Sequence, residues 1–198
     1  MTNITGKTYA MNAITPMKPW KTWLLRTVFF ILGHVASLRN DLVNLSFIHF
    51  ARWVIIPRQG FPHVTEDQPY EQLKYDYLLF FSNFNGTWNQ YIDAFSSVLS
   101  NGLNQIWRWS EKFPGSVPVT PFKQYIARVQ FETDFYYTAY PHAATNDVKA
   151  AHRVTDALHD FERQSAAMNP EQFEKAYQSF LVKVQRDLGS TGMAPVGT

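Results

Sequence analysis

Cysteine is absent from the 198-residue chain. That excludes disulfides, thiolate nucleophiles and thiolate metal sites, and it leaves either redox compartment open. Charge is scarce as well: Asp, Glu, Lys and Arg make up 17% of the residues, against a usual share of about 25%. The charge that is present nearly cancels, with 18 basic and 16 acidic residues for a net +2. The basic residues are scattered, so the chain shows no electrostatic footprint for a nucleic acid. Long apolar runs are also missing. In the amino-terminal segment the uninterrupted apolar part, Val28 to Leu32, is far short of the roughly 20 residues that a spanning helix needs. No CxxC, GxGxxG, P-loop, HExxH or GxSxG pattern occurs, so the common redox, nucleotide, zinc-protease and serine-hydrolase signatures are lacking.

Aromatic residues are plentiful: 16 Phe, 10 Tyr and 6 Trp within a chain that is 45% apolar. A chain of this length buries roughly 70% of its unfolded surface around one good core. The surplus of aromatic over charged surface points to a covered face, either by a partner, a membrane or a second subunit, or else to a hydrophobic cavity. Around Trp20, Trp23, Leu24, Val28, Phe30, Ile31, Val35 and Leu38 the amino-terminal segment forms a broad apolar helical sector, with Lys18, Lys21, Arg26 and Arg39 beside it. Pro19 suits a first helical position. This helix either packs on the protein, lies in a membrane interface or acts in spanning or targeting.

Four strands are expected. In LSFIHFARWVIIPR, residues 45–58, both alternating faces are mostly apolar, so residues 47–56 read as a strand covered on both sides. Arg52 within it is expected to be buried and paired, because a dry unpaired guanidinium is very costly. His49 and Arg52 are an odd number of positions apart and face opposite sides unless a bulge intervenes. Residues 57–76 read as a long loop. Tyr77 to Phe84 form the second strand, LNQIWRWS at 103–110 the third, and Phe135 to Tyr140 the fourth. Helices are expected after Thr87, whose spacing to Gln90 is that of a capping box and which Asn101 and Gly102 stop; after Thr120; after Thr145; and from Asn169 with Pro170 and Gln172.

The order describes an α+β domain with an antiparallel four-stranded sheet, ferredoxin-like or dimeric α+β barrel-like, with an added amino-terminal helix and carboxy-terminal helices. Residues 1–42 form the amino-terminal segment, 43–142 the core domain, 143–188 a helical extension and 189–198 a flexible tail. Candidate site residues are few. SNFNG places Asn83, Asn85 and Gly86 between a strand end and a helix amino terminus, where backbone donors favour an anionic group; a self-satisfied turn is the alternative. Arg108 between two tryptophans either binds a carboxylate or stacks. Tyr137, Tyr140 and His142 are the densest proton-capable set, although aromatic strands also simply pack. His152 and His159, seven apart, have poor ligand spacing, so no metal site is expected.

HFARWVI, LLFFSNFNG followed by WNQYIDAF, and FYYTAYP resemble segments of an uncharacterised bacterial family with a ferredoxin-like domain, over roughly residues 45–142. At fold level the resemblance extends to haem-binding peroxidase-like, chlorite-dismutase-like and haem-degrading enzymes. SNFNG lacks the aspartate of the peroxidases' GxxDG segment, and no histidine matches a haem ligand. Two functions stay open. One is a small-molecule enzyme, with a haem-dependent oxidoreductase as the form the resemblance implies, acting on a hydrophobic substrate with a carboxylate or other anionic group. Its catalytic candidates are Arg52, Tyr137, His142 and His49, with Arg108, Asn83 and Asn85 holding the cofactor. The other is a non-catalytic protein that binds a lipid or a partner at a membrane surface. A homodimer is expected in either case, in the cytoplasm or at the inner face of a membrane.

Overall fold

The computed structural model describes residues 4–34 and 46–188. Its elements are β1 (Ile4–Thr5), β2 (Thr8–Met17), a short 3-10 turn (Pro19–Lys21), α1 (Thr22–His34), β3 (Ile48–Ile56), β4 (Asp76–Asn85), α2 (Trp88–Val98), α3 (Ser100–Trp107), α4 (Val119–Val129), β5 (Gln130–Phe131), α5 (Thr145–Ser165) and α6 (Pro170–Val184). All strand pairs are antiparallel, in the order β1-β2-β4-β3, with β5 also paired to β2. Setting the β1 hairpin arm aside, β2-α1-β3-β4-helices-β5 with spatial order β5-β2-β4-β3 is the split βαβ arrangement of a ferredoxin-like fold. The expected class, an antiparallel α+β sheet flanked by an amino-terminal helix and carboxy-terminal helices, is the one observed.

Period-two alternation divides the sheet into two faces. The register sets Ala13 and Trp53 on either side of Phe80, and Thr15 and Ile55 on either side of Leu78. These side chains pack with Leu25 of α1, Tyr91, Ile92 and Phe95 of α2, Leu103, Ile106 and Trp107 of α3, and Phe122 and Ile126 of α4. Aromatic geometry closes this layer. Trp107 meets Phe80 edge-on at 4.9 Å, and Tyr91 stacks on Phe84 at 3.9 Å. Some of its polar groups pair internally: the Tyr91 hydroxyl donates to Ser82 at 2.9 Å, and the hydroxyls of Thr15 and Ser110 lie 2.8 Å apart, while Trp53 Nε1, Trp107 Nε1 and Ser96 Oγ are buried without a partner. Burial accordingly raises the Tyr91 pKa, and it pushes that of Tyr125 up to about 12 despite the hydroxyls of Ser110 and Thr15 beside it.

Two expected strands, at 48–56 and 76–85, are present, and two are not. Residues 100–107 form α3 because Leu99, Leu103, Ile106 and Trp107 bury a helical stripe. The chain breaks at Leu99 and starts a new helix through Asn101 and Gly102 instead of stopping there. Residues 135–140 join no ladder. The outer edge of β2 is already occupied, by β1 at Thr8 and Tyr9 and by β5 at Asn12 and Ala13. The strand the sequence hid is β2, whose Ala, Met, Asn and Pro content carries little β signal. Of the amino-terminal apolar sector, Val35 and Leu38 fall outside the described residues, as do Arg39 and the tail at 189–198. The loop at 57–75 and the helices after Thr87, Thr145 and Asn169 are found where expected, the first and last with complete capping boxes.

Arg52 is a correction. It is exposed, lies 4.9 Å above the Phe81 ring, and makes no ion pair among the described residues. The reason is that β3 is an edge strand and that Arg52, Val54 and Phe81 occupy the face opposite the helices, where an arginine keeps its head in water and lays its stem on a ring.

The two faces set a contrast between adjacent residues. Phe80→Ala is expected to lower the unfolding free energy by about 3–5 kcal/mol, as for other core phenylalanines. Phe81→Ala, next to it but half-buried on the outer face, is expected to cost under about 1.5 kcal/mol. Urea unfolding of the two variants checks the assignment, and equal costs would contradict it.

Candidate functional site

On the outer side of the sheet, where β4 ends, the chain from Phe131 to Ala144 crosses back over the strands. Side chains anchor it in place of a ladder. Asn12 Nδ2 donates to Thr133 Oγ1 at 2.7 Å, Thr5 Oγ1 donates to the Tyr136 carbonyl at 2.8 Å, and Asn83 Nδ2 donates to the Tyr136 hydroxyl at 2.6 Å. Gly6, with φ of +61°, lets the β1–β2 turn pass so close to Pro141 that a Cβ would sit 2.0 Å from its carbonyl oxygen. Lys7 N donates to that same oxygen at 2.9 Å.

Between this crossing segment, the first turns of α5 and the edge strand lies a cleft of about 850 Å³. Its walls are Ile48, His49, Phe50 and Ala51 of β3, Tyr136, Tyr137, Thr138 and Tyr140 of the crossing segment, and Thr145, Val148 and Lys149 of α5; Asn83 lies at its base. Another concavity, about 620 Å³, lies within the 57–75 loop and holds the stacked pair His63 and Tyr70. It contains no buried unsatisfied polar group among the described residues, whereas the cleft does.

Two such groups stand in its wall, Trp53 Nε1 and His49 Nε2, and of the two only His49 can take up a proton. Ile48 pairs with Phe84 and Phe50 with Asn83, so His49 is the extra residue of a β-bulge. The bulge gives the core position to Ile48 and releases the imidazole from the strand's alternation. His49 Nε2 is buried without a hydrogen-bond partner. Burial lowers the histidine's pKa below the usual 6.5, and the Asn85 amide beside it offsets this in part. The ring is therefore neutral at neutral pH. Across the cleft, burial raises the Tyr136 pKa against the opposing pull of Asn83. Because the Tyr136 oxygen accepts from Asn83, its own proton stays available to donate.

Asn85 and its neighbours serve the scaffold. Asn85 Oδ1 accepts from Thr145 N at 2.9 Å and from Thr145 Oγ1 at 3.1 Å, while Nδ2 donates to the Lys7 carbonyl at 2.8 Å. Ala144 at the amino end of α5 has no side-chain acceptor, so Asn85 caps that helix from 60 positions away. At SNFNG, Gly86 takes φ of +92°. The donors at the start of α2 are consumed locally, with Gln90 N donating to Thr87 Oγ1 and Thr87 N to Gln90 Oε1.

The expected site residues thus separate. His49, Asn83 and Tyr137 share the cleft, with Tyr137 exposed on its rim. Arg52 lies on the open sheet face, His142 is exposed in the turn after Pro141, and Arg108 caps α3 with its guanidinium 5.2 Å from the Trp109 ring. Nothing in the sequence distinguishes Tyr136 within the aromatic run. Its neighbours Tyr137 and Tyr140 looked equivalent until the crossing path turned only Tyr136 inward. No cluster of three or more His, Asp or Glu residues able to hold a metal ion is found among the described residues. A haem does not fit this donor set: His49 Nε2 is covered by protein, and Arg52 and Arg108, the cations expected to face an anionic group, lie outside the cleft. Compared with protein-family models, curated proteins and solved structures, the chain matches none.

Two outcomes test this geometry. Asn85→Ala leaves Thr145 N, Thr145 Oγ1 and the Lys7 carbonyl unpaired, and is expected to cost about 2–4 kcal/mol in urea unfolding. For His49 the sign follows from its lowered pKa. The unfolded chain binds the proton more readily, so this residue's contribution to stability is present above about pH 6.5 and is lost as pH falls through the folded-state value. The loss of stability between neutral and mildly acidic pH is expected to be smaller in His49→Asn than in the parent protein, as measured by paired urea titrations.

Proposed function

We propose that the chain is a small-molecule protein whose cleft takes a largely apolar, ring-sized ligand by one uncharged hydrogen-bonding group. What carries the reading is the pairing of a bulge-displaced, neutral His49 with a Tyr136 hydroxyl that Asn83 orients at 2.6 Å. A cleft of this size suits a drug-sized molecule. Phe50, Tyr137 and Tyr140 offer it rings, while the polar atoms are few and fixed. A protonated phenol in the cleft, with a neutral imidazole in its wall whose Nε2 a ligand has to uncover, is also the equipment of general acid–base chemistry, which makes an enzyme acting on a hydroxyl or carbonyl compound the catalytic form of this reading. It replaces the anionic handle expected of the substrate, because the arginines meant to hold it lie outside the cleft and Lys149, the cation in the cleft wall, already has a partner. The resemblance to haem-using enzymes adds no step here.

The probes are 2-naphthol and 2-naphthoate, alike in ring and different in charge. 2-Naphthol is expected to raise the melting temperature more than 2-naphthoate at equal concentration, since binding to the folded state alone stabilises it. Tyr136→Phe is expected to weaken 2-naphthol binding at least about fivefold, the loss of one net hydrogen bond of about 1 kcal/mol. Preference for the carboxylate, or unchanged binding in Tyr136→Phe, would overturn the reading.

A further inference from the structure

The structure points to a second surface, independent of the cleft. We propose that the outer face of α1, together with the 3-10 turn before it, docks flat on an anionic membrane interface. α1 is apolar on two sides. Leu25, Val28, Phe29 and Leu32 turn toward the core. On the other side Trp20 is 60% exposed, Trp23 63%, Phe30 66% and Ile31 47%. They lie seven and four positions before Thr27 and three and four after it, which places them in one stripe along the helix and the turn that leads into it. A helix that is apolar on both sides requires a cover on each.

Charge identifies the cover. No Asp or Glu occurs before Asp41, while Lys7, Lys18, Lys21 and Arg26 all precede or lie within α1. Lys18 and Arg26 are exposed beside the stripe; Lys21 lies 5.8 Å from the Trp20 ring and pairs with Glu111 at 3.1 Å. Tryptophans flanked by cations of one sign are what a headgroup layer with anionic lipids recognises. A second copy of this chain fits less well, because pairing the stripe with itself across a twofold axis brings like charges together. The contact is peripheral: at 13 residues α1 is about 20 Å long, and no helix of the described residues is long and apolar enough to cross a membrane.

Deleting the amino-terminal segment would remove β2 from the middle of the sheet, so the test uses substitutions in the full chain. The parent protein is expected to sediment with vesicles of phosphatidylcholine and phosphatidylglycerol at low salt, and to bind vesicles of phosphatidylcholine alone at least about tenfold more weakly. Trp23→Ser with Phe30→Ser alters exposed side chains only, and is expected to abolish sedimentation while circular dichroism and melting stay at parent values. Arg26→Glu, a separate variant that keeps the aromatics, is expected to weaken the anionic preference alone. Failure of the parent protein to sediment at low salt would overturn the proposal, as would double-variant binding at parent strength. So would a concentration-dependent dimer, seen by ultracentrifugation, that the double variant dissolves without any change in vesicle binding.

Discussion

One buried amide holds the outer half of this molecule together. Asn85, only 4% exposed at the end of β4, reaches three separate stretches of chain. Its backbone N–H donates to the Phe47 carbonyl at 2.8 Å, its side-chain nitrogen donates to Lys7, and its oxygen accepts twice from Thr145. A carboxylate could not donate to Lys7, and a methyl group could do none of this. The amino end of α5, the β1–β2 turn and the approach to β3 are thereby fixed to one residue of the sheet. Lys7 adds a second tie to the same helix through its 3.3 Å contact with Asp147, whose carboxylate also accepts from Ala144 N at 2.8 Å. A cap supplied from so far away in sequence ties the position of α5 to the end of β4.

The cleft follows from that constraint. With α5 held at the sheet's end, the crossing segment has to span from β5 to Thr145 over the outer face, and the space left against the β3 edge is the cleft. The bulge belongs to the same accommodation. Without it Ile48 would fall on the outer face and His49 in the core beside Phe84, where an imidazole would be buried among rings. Shifting the register by one residue keeps the core apolar and leaves the histidine at the cleft. An edge strand is where such a shift is cheapest, because only one ladder has to adjust.

What was legible in the sequence was local. Capping boxes at Thr87 and Asn169, the proline at 170 and the alternation of residues 48–56 and 77–84 each follow from contacts within a few residues, and each element is found. β2 and the crossing segment were not legible, since both depend on pairing between distant stretches. The β2 sequence earns its strand by lying between β4 and two short partners, and FYYTAYP loses its strand because the edge it would pair with is occupied. For the site, the odd spacing of His49 and Arg52 predicts opposite sides of a regular strand, with a bulge as the stated exception; the exception is what β3 shows, and both residues lie on the outer side. The bulge came, yet it brought His49 to a cleft without Arg52, because a guanidinium on an uncovered face has water in place of a buried partner. Asn85 was noticed for its position at a helix start; the helix it serves is not the one that follows it.

Part of the balance of many aromatics and few charges finds its place in two uncovered regions. Phe50, Tyr137 and Tyr140 stand open around the cleft, and Trp20, Trp23 and Phe30 stand open along α1. A folded core accounts for neither set. Exposed large rings grouped in patches are retained where something covers them for part of the time. The two groups differ in what accompanies them: hydroxyls, amides, one imidazole and a single, partnered lysine at the cleft, but the exposed cations Lys18 and Arg26 beside the α1 stripe, with no acid in α1 itself. Rings with fixed neutral donors select a small molecule by shape and one hydrogen bond; rings with mobile like charges select an extended anionic surface and no particular shape. The sheet separates the two, since α1 belongs to the helix layer on one face and the crossing segment lies on the other. Docking through α1 would therefore leave the cleft open to solvent, and occupancy of one surface does not require vacancy of the other.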